Sequence, residues 1–246
     1  MLPTSPRSIS LAGLARNGGE PWAGGPREAI RWAAICGYRW VQLDAGTLRA
    51  RELDRSARRD IAATLRREGL QLSGIDLWVP PAHLVSPAEQ GRACEALLGA
   101  AELLSELAAL LPGSGTVVST ALHAATPAEL VRELSMGFER VGVLLADHAW
   151  PARLSIAPLG VGIDPAAIIL AKGEVVGELS RLTSAPIAAR LSDFAASSRV
   201  PPGEGALELE AYDAVLHTRG YAEARVVDLR GLREQDTVAR QLALRE

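Results

Sequence analysis

Charged residues recur at the ends of short apolar runs in this sequence. Asp44 closes "VQLD", Asp76 lies in "GIDLW", Asp164 closes "GVGID", Arg190 lies in "ARLSD" and Asp228 lies in "VVDLRG". Carboxylates transfer protons or bind metal ions, and guanidinium groups bind anions. Because the pattern repeats along the chain, it indicates a site built from several strand ends.

An aromatic residue and a histidine lie close to one of these runs. Trp78 follows Asp76 by two residues, so on a strand the two side chains share one face. A tryptophan beside a carboxylate suits stacking on a sugar ring, although plain packing explains it equally well. His83 lies in the loop "PPAHL" and is a candidate acid, base or ligand. Arg16, Asn17 and His123 also lie at or just after the ends of strand-like runs, so they are further candidates.

The stretch "ARLSDFAASSRVPPGEG" is predicted to be a strand that runs into a charged loop. Asp193, Arg199 and Glu204 lie in this loop, and its Pro and Gly residues exclude a regular element in its second half. Arg199 and Glu204 either close over a ligand or pair with each other in solvent. Arg230, two residues after Asp228, is a further candidate ligand contact.

Several of these residues also have a structural interpretation. Asp44 can cap the turn that follows it, and Asp164 can cap a helix beginning at Pro165. Asp228 can pair with Arg230 or with Arg190, which would neutralise the site rather than attract a ligand. Both interpretations stay open at this point.

The composition narrows the classes of protein. The chain has 246 residues, 48% of them hydrophobic and 4% aromatic, with a formal charge of -3 and a pI near 5.9. This balance provides no general attraction to nucleic acid or membranes, and no apolar run is long enough to span a bilayer. The opening "MLPTSPRSIS" lacks a signal-peptide core, so we expect a cytoplasmic protein. Cys36 and Cys94 are predicted to be buried free thiols.

Short strand-like runs alternate with helical ones over most of the chain, which predicts a single (β/α)8 TIM-type barrel domain over residues 1–246. The strand candidates are 8–14, 39–45, 70–79, 116–122, 153–159, 160–164, 187–193 and 224–230. The helix candidates are 26–36, 56–68, 87–111, 127–149, 173–183 and 208–219. His148 and His217 fall late in two of these helices, where a role at the helix C-terminus is expected.

One join departs from a regular barrel. The fifth and sixth strand candidates, 153–159 and 160–164, adjoin each other, whereas parallel neighbours need a crossover of about ten residues or more. Either the fifth helix is missing and one of these runs is not a barrel strand, or the barrel is irregular or incomplete there.

The runs "WAAICGYRWVQLD", "GLQLSGIDLW", "GIDPAAIILAKGE", "ARLSD…PPGEG" and "GYAEARVVDLRG" together resemble the xylose isomerase-like barrels grouped as sugar phosphate isomerases/epimerases. The resemblance covers most of the chain. It implies a TIM barrel acting on a small sugar, with one divalent metal, often manganese, held by residues that end strands five to eight. It also implies a glutamate at the end of strand two, where this chain has Asp44.

The resemblance places the four metal positions on Ala157, Asp164, Arg190 and Asp228. Alanine offers no ligand atom, and a guanidinium opposes a divalent cation. Asp164 and Asp228 remain as weak candidates for binding Mn or Mg, so we expect no cofactor or only a weakly held metal. Arginine can instead stabilise an enediolate or bind a phosphate or carboxylate.

The sequence therefore predicts a divergent sugar isomerase/epimerase-like protein with a degenerate metal site, which acts on or binds a small sugar, sugar phosphate or sugar acid. In an enzyme, Asp228 or Asp164 would be the base, Arg190 the oxyanion stabiliser, and His83 or Glu204 the second proton-transfer group. The predicted substrate contacts are Asp44, Asp76, Trp78, Asp193, Arg199 and Arg230. The alternatives are a non-catalytic binding protein and a scaffold with a structural Asp–Arg network, and a homo-oligomer is compatible with each.

Overall fold

A computed structural model of the chain describes residues 6–15, 18–152 and 157–244. Eight parallel strands close into a barrel in the order β1-β10-β7-β6-β5-β4-β3-β2, and β8 and β9 form a separate antiparallel hairpin. The strands are β1 (Arg7–Ser10), β2 (Trp40–Asp44), β3 (Gln71–Asp76), β4 (Val117–Thr120), β5 (Leu144–Asp147), β6 (Leu159–Ile163), β7 (Ala188–Leu191), β8 (Asp193–Ala195), β9 (Ser198–Val200) and β10 (Arg225–Val227). The predicted TIM-type barrel is confirmed.

Helices surround the barrel. They are α1 (Pro26–Ile35), α2 (Ala45–Leu48), α3 (Arg55–Arg67), α4 (Gln90–Leu110), α5 (Ala128–Val141), α6 (Pro165–Leu170), α7 (Val175–Ser180), α8 (Leu209–Thr218) and α9 (Gln235–Ala243), with a 3-10 turn at Pro81–Leu84. Local chemistry sets several of their starts. Asp54 accepts a hydrogen bond from the Ala57 N–H at 2.7 Å at the start of α3, and Pro26 opens α1. The sequence patterns missed α2 and α9, and they indicated α6 only through the proline that begins it.

The fifth barrel strand is not where the sequence pattern placed it. The predicted helix 127–149 ends at Val141, because Gly142 adopts a left-handed conformation (φ 68°) that terminates α5. The chain then enters β5, so the fifth barrel strand lies before the predicted run 153–159 and not in it. Residues 153–156 lie outside the described part of the chain, and Ala157 lies in a turn before β6.

This correction accounts for the irregular join. β5 and β6 pair in parallel, with Ala146 opposite Gly160, so the connection between them is residues 148–158. That length is close to the shortest crossover, about ten to twelve residues, that joins parallel neighbours. The described parts of this connection, 148–152 and 157–158, contain no helix, and the barrel is nevertheless closed.

The barrel strands divide their side chains between two environments. In β2, Val41 and Leu43 are fully buried on the outer face among the helices, whereas Gln42 and Asp44 alternate with them and face the barrel interior. By the same alternation, the last residues of the strands and those just beyond them surround one end of the barrel, the carboxyl end. No helix among the described residues is long and apolar enough to cross a membrane.

Candidate functional site

Arg190 lies at the centre of a buried cluster of charges at the carboxyl end of the barrel. It is a residue of β7, and 1% of its side chain is exposed. Its Nη2 atom lies 2.5 Å from Asp76 Oδ2, and its Nη1 atom lies 3.4 Å from Asp164 Oδ2 and 3.7 Å from Asp228 Oδ2. One guanidinium therefore connects the ends of β3, β6 and β10.

Arg199 reaches the same carboxylates from the β8–β9 hairpin. Its Nη2 atom lies 2.9 Å from Asp164 Oδ2, and its Nη1 atom lies 2.9 Å from Asp228 Oδ2. Its side chain is 23% exposed, in contrast to that of Arg190. The hairpin thus places a second guanidinium between two carboxylates at the outer edge of the cluster.

Arg230 completes the cluster and joins it to the aromatic residue. Its Nε and Nη2 atoms donate to both oxygens of Asp228, at 2.9 Å and 2.6 Å for the shorter contacts. Its Cζ atom lies 5.1 Å from the centre of the Trp78 ring, a cation–π contact. The Trp78 side chain is half exposed, so it lies between the cluster and solvent.

Asp164 is at the N-cap position of α6, but its side chain does not cap the helix. Ser192 instead satisfies one of the free N–H groups at the start of α6. The Ser192 hydroxyl accepts a hydrogen bond from the Ala166 N–H at 3.1 Å and donates to Asp164 Oδ1 at 2.5 Å. The Asp164 carboxylate is therefore directed to the two arginines. Ser192 therefore caps α6 in place of Asp164, and its hydroxyl orients the Asp164 carboxylate.

The three carboxylates and three guanidiniums of the cluster balance in formal charge, and the pKa values of Asp76 and Asp228 shift in opposite directions. Burial raises the pKa of Asp76 above its ordinary value even though Arg190 and Arg230 oppose the shift. Burial also opposes ionisation of Asp228, yet the charges of Arg230, Arg190 and Arg199 lower the pKa of this group. Asp228 is consequently held as an anion, whereas Asp76 accepts a proton more readily than Asp228 does.

Three polar atoms of the cluster retain unused hydrogen-bonding capacity. Asp76 Oδ1, Arg199 Nη1 and Arg230 Nη1 are buried and have no hydrogen-bond partner among the described residues, although Arg199 Nη1 forms an ion pair with Asp228. Buried polar groups are nearly always paired in proteins. One acceptor and two donors of the cluster therefore lack a hydrogen bond from the protein.

A neutral histidine lies at the end of β5. His148 is 2% exposed, and its Nε2 atom lies 3.1 Å from Ser119 Oγ, which also accepts a hydrogen bond from Gln42 Nε2 at 3.2 Å. Burial, followed by the charges of Arg190 and Arg230, lowers the pKa of His148 well below its ordinary value. The expectation that His148 lies late in a helix is wrong.

Other predicted site residues have structural contacts. Asp44 caps α2 by accepting from the Gly46 N–H at 3.0 Å, as its structural interpretation predicted. Asp193 accepts hydrogen bonds from four backbone N–H groups, those of Phe194, Gly203, Gly205 and Leu207. Its carboxylate therefore holds the loop that follows β9, the strand that carries Arg199.

The remaining candidates lie apart from the cluster. His83, in the 3-10 turn, and Glu204, in the loop after β9, are both exposed. No hydrogen bond or ion pair among the described residues joins either of them to the Asp–Arg cluster. His123 is exposed after β4 and accepts from the Ala125 N–H, and Arg16 and Asn17 lie outside the described residues.

The sequence patterns missed three residues of the strand ends: Asp147, His148 and Ser192. The run "GVLLADHA" is apolar and ends in charged residues, as the other strand ends do. The sequence nevertheless predicts a helix there, because the helical pattern of the preceding residues continues through it. Asp147 accepts from the backbone N–H groups of Leu122 and Ala149, at 2.9 Å each. The residue that ends β5 is thus Asp147, and the assignment of this position to Ala157 is wrong.

Solved structures with the same fold include three informative ones. A xylose isomerase domain protein from Planctomyces limnophilus has a TM-score of 0.75 and 16% identity, with 98% of this chain and 96% of that chain covered. D-psicose 3-epimerase from Clostridium cellulolyticum H10, solved with D-tagatose, has a TM-score of 0.69 and 15% identity, with 97% of this chain and 96% of that chain covered. A xylose isomerase-like TIM barrel protein from Mycobacterium smegmatis in complex with magnesium has a TM-score of 0.69 and 15% identity, with 98% of this chain and 96% of that chain covered.

These similarities confirm the predicted resemblance at the level of the fold, which is that of xylose isomerase-like TIM barrels and sugar epimerases. No family model matches the sequence, and no curated protein matches it. Within the described ranges of the chain, no group of three or more His, Cys, Asp or Glu side chains has a geometry that could hold a metal ion.

Proposed function

We propose that the carboxyl end of the barrel is a metal-independent binding site for a small sugar or sugar acid, in which arginines replace the divalent ion. The observation that carries the proposal is the position of Arg199. Its guanidinium lies 2.9 Å from both Asp164 and Asp228, the two residues that the sequence offered as metal ligands.

The donor set does not fit a divalent ion at this position. Mg²⁺ and Mn²⁺ require several oxygen ligands free to surround the ion. Asp164 and Asp228 instead face Arg199, and Arg190 lies within 3.7 Å of both. A divalent ion between these carboxylates would therefore meet two fixed positive charges, which repel it strongly at such distances.

The chemistry of the cluster favours a hydroxylated or anionic ligand. Arg230 Nη1 is an unused donor and Asp76 Oδ1 an unused acceptor, a pair that suits the hydroxyl and carbonyl groups of a sugar. The half-exposed Trp78 ring offers an apolar surface for the C–H face of a sugar ring. A carboxylate on the ligand would compete with Asp164 and Asp228 for Arg199.

A second candidate function is sugar isomerisation or epimerisation, and it is favoured by the state of Asp76. Its raised pKa and unpartnered oxygen suit a group that removes a proton from the carbon beside a carbonyl and later returns it. Arg190, 2.5 Å from Asp76, would stabilise the enediolate. Asp228 is a poorer base, because three guanidiniums lower its pKa.

The test is a thermal-shift and calorimetric panel of D-fructose, D-gluconate and D-glucose 6-phosphate, each with EDTA and with Mn²⁺. We expect at least one compound to bind equally well in EDTA, and Arg199→Met to weaken that binding at least tenfold. Arg92→Met, which changes a remote arginine that is 80% exposed, is the matched control. Stoichiometric Mn²⁺ that survives chelation would contradict the proposal, and no binding at all would favour the scaffold.

For any compound that binds, incubation in D₂O separates the two functions. An isomerase or epimerase that works through an enediolate can exchange the removed proton with solvent, and proton NMR detects this exchange as loss of one signal and turnover as new product signals. Exchange that Asp76→Asn abolishes, while binding persists, would support catalysis. Unchanged signals over days would leave binding as the function.

A further inference from the structure

A cavity lies at the amino-terminal end of the barrel, where the strands begin, opposite the Asp–Arg cluster. Its volume is about 540 Å³, and its walls include Trp40, Gln42, Ser73, Ser119, Ala188 and Tyr221. Loops that precede β4, β7 and β10 form its rim. It is therefore separate from the Asp–Arg cluster, which lies beyond the other ends of the strands.

Small side chains create this space. TIM barrels are usually filled at this level by branched apolar side chains. Here the walls present Ser73 and Ala188, and Ser119 lies deeper inside. Among the described residues, the amino-terminal end of the barrel thus surrounds a cavity whose walls are partly polar.

The deep end of the cavity contains an unsatisfied acceptor. Gln42 is 3% exposed, its Nε2 atom donates to Ser119 Oγ at 3.2 Å, and its Oε1 atom has no hydrogen-bond partner among the described residues. An unpaired buried amide oxygen is costly, so a bound hydroxyl or water that donates to it is favoured. The site therefore has a buried side chain in the cavity wall, Gln42, with one acceptor that the protein does not satisfy.

The charges of the walls narrow the class of ligand. Among the lining residues, none is Lys, Arg or His, and Glu223 is the single carboxylate. An anion would therefore find no counter-charge there, whereas a neutral molecule is compatible with the walls. The half-buried Trp40 adds an apolar surface beside the serine hydroxyls.

We propose that this amino-terminal cavity is a second binding site that takes a small neutral polyol, with a ligand hydroxyl donating to Gln42 Oε1. The proposal does not depend on the function of the Asp–Arg cluster, because it rests on different residues at the other end of the barrel. The competing explanation is that the cavity holds water alone, as polar cavities of this size often do.

The probes are glycerol and sorbitol, titrated calorimetrically into the full chain. We expect saturable sorbitol binding, reduced at least tenfold by Gln42→Leu, which removes the acceptor, and by Ala188→Leu, which fills space without leaving a polar group unpaired. Arg92→Met, on a remote arginine that is 80% exposed, is the matched control and should bind sorbitol as the wild type does. Circular dichroism and a cooperative melt establish that each variant is folded.

Three results would overturn the proposal. Absence of saturable binding of either probe would mean that water alone occupies the cavity. Sorbitol binding that both cavity variants retain would place the ligand elsewhere, and loss of sorbitol binding in Trp78→Ala would place the ligand at the Asp–Arg cluster. Should both cavity variants fail to fold, a sorbitol-soaked crystal of the wild type decides directly, since density beside Gln42 supports the site and its absence refutes it.

Discussion

Replacing Arg190 by methionine tests whether the Asp–Arg cluster is a coupled electrostatic unit. Methionine keeps most of the length of the side chain and removes its charge. Asp76 would lose its contact at 2.5 Å, and Asp164 and Asp228 would lose contacts at 3.4 Å and 3.7 Å. Three carboxylates would then share two guanidiniums in a region where Asp76 is fully buried.

The expected loss of stability is large. At an effective dielectric constant of about 20, unit charges 2.5 Å apart attract by roughly 7 kcal/mol before the cost of their desolvation. Breaking a buried pair by removing one partner costs about 3–5 kcal/mol net, because the other charge stays buried. For a domain of this size, that corresponds to a decrease in Tm of roughly 6–20 °C.

The loss should depend on pH with a definite sign. Burial already raises the pKa of Asp76, and Arg190 opposes that shift, so the variant raises this pKa further. The folded variant then binds a proton that the unfolded chain releases, and its stability falls as pH rises from about 4 through the raised pKa. The deficit of Arg190→Met relative to the wild type should therefore be smaller in acid than at neutral pH.

The assay is urea unfolding of a double-mutant cycle at several pH values. Asp76→Asn combined with Arg190→Met removes both buried charges, so the double variant should be more stable than the sum of the single effects by about 2 kcal/mol or more. Arg92→Met, on an arginine 80% exposed, controls for loss of a surface charge. A change in Arg190→Met no larger than in this control, or additive effects in the cycle, would refute the reasoning.

Three further predictions concern other buried groups. Asp193→Ala removes the acceptor of four backbone N–H groups, so we expect about 2 kcal/mol of destabilisation. Limited proteolysis should then cleave the variant within 193–207, and resistance to the protease equal to that of the wild type would contradict this. Burial raises the pKa of Cys36 to about 11 and that of Cys94 to about 12, so both thiols should react with a disulfide reagent at pH 8 only on unfolding, and rapid native labelling would contradict it. The lowered pKa of Asp228 adds stability above pH 4 that is lost as pH falls, so Asp228→Asn should flatten the acid limb of the stability curve, and identical acid limbs would exclude this role.

The positions of most barrel strands could be predicted, because local signals agree there. In "GVGIDP", the apolar run, the following carboxylate and the proline all indicate a strand that ends where a helix begins, and β6 ends and α6 begins accordingly. Asp76, Asp164 and Asp228 could be expected to converge for the same reason, since parallel strands end on one side of a barrel.

Strand five could not be predicted, because its sequence supports two structures. "GFERVGVLLADHAW" is rich in Leu, Val and Ala, and a short apolar run of this kind fits a buried helix as well as a strand. Gly142 is the informative residue, since a glycine at a helix C-terminus often adopts the left-handed conformation found here. The same sequence also fits a longer helix that tolerates Gly142 in its interior. That interpretation places the fifth strand about ten residues too late in the chain and puts His148 in a helix instead of just after β5.

The partners of Arg199 could not be predicted either, because they are set by the closure of the barrel and the path of the hairpin. The consequence for the site lies in the contrast between its arginines. The side chain of Arg190 is 1% exposed and contacts three strand ends, whereas those of Arg199 and Arg230 are 23% and 18% exposed and lie outside the strands of the barrel. In the proposed binding site, a ligand that enters from solvent would therefore meet Arg199 and Arg230 first, and it would exchange their carboxylate contacts for its own while Arg190 keeps the strand ends in place. A metal ion places its charge at one centre, so it would not provide this division between a fixed and an accessible guanidinium.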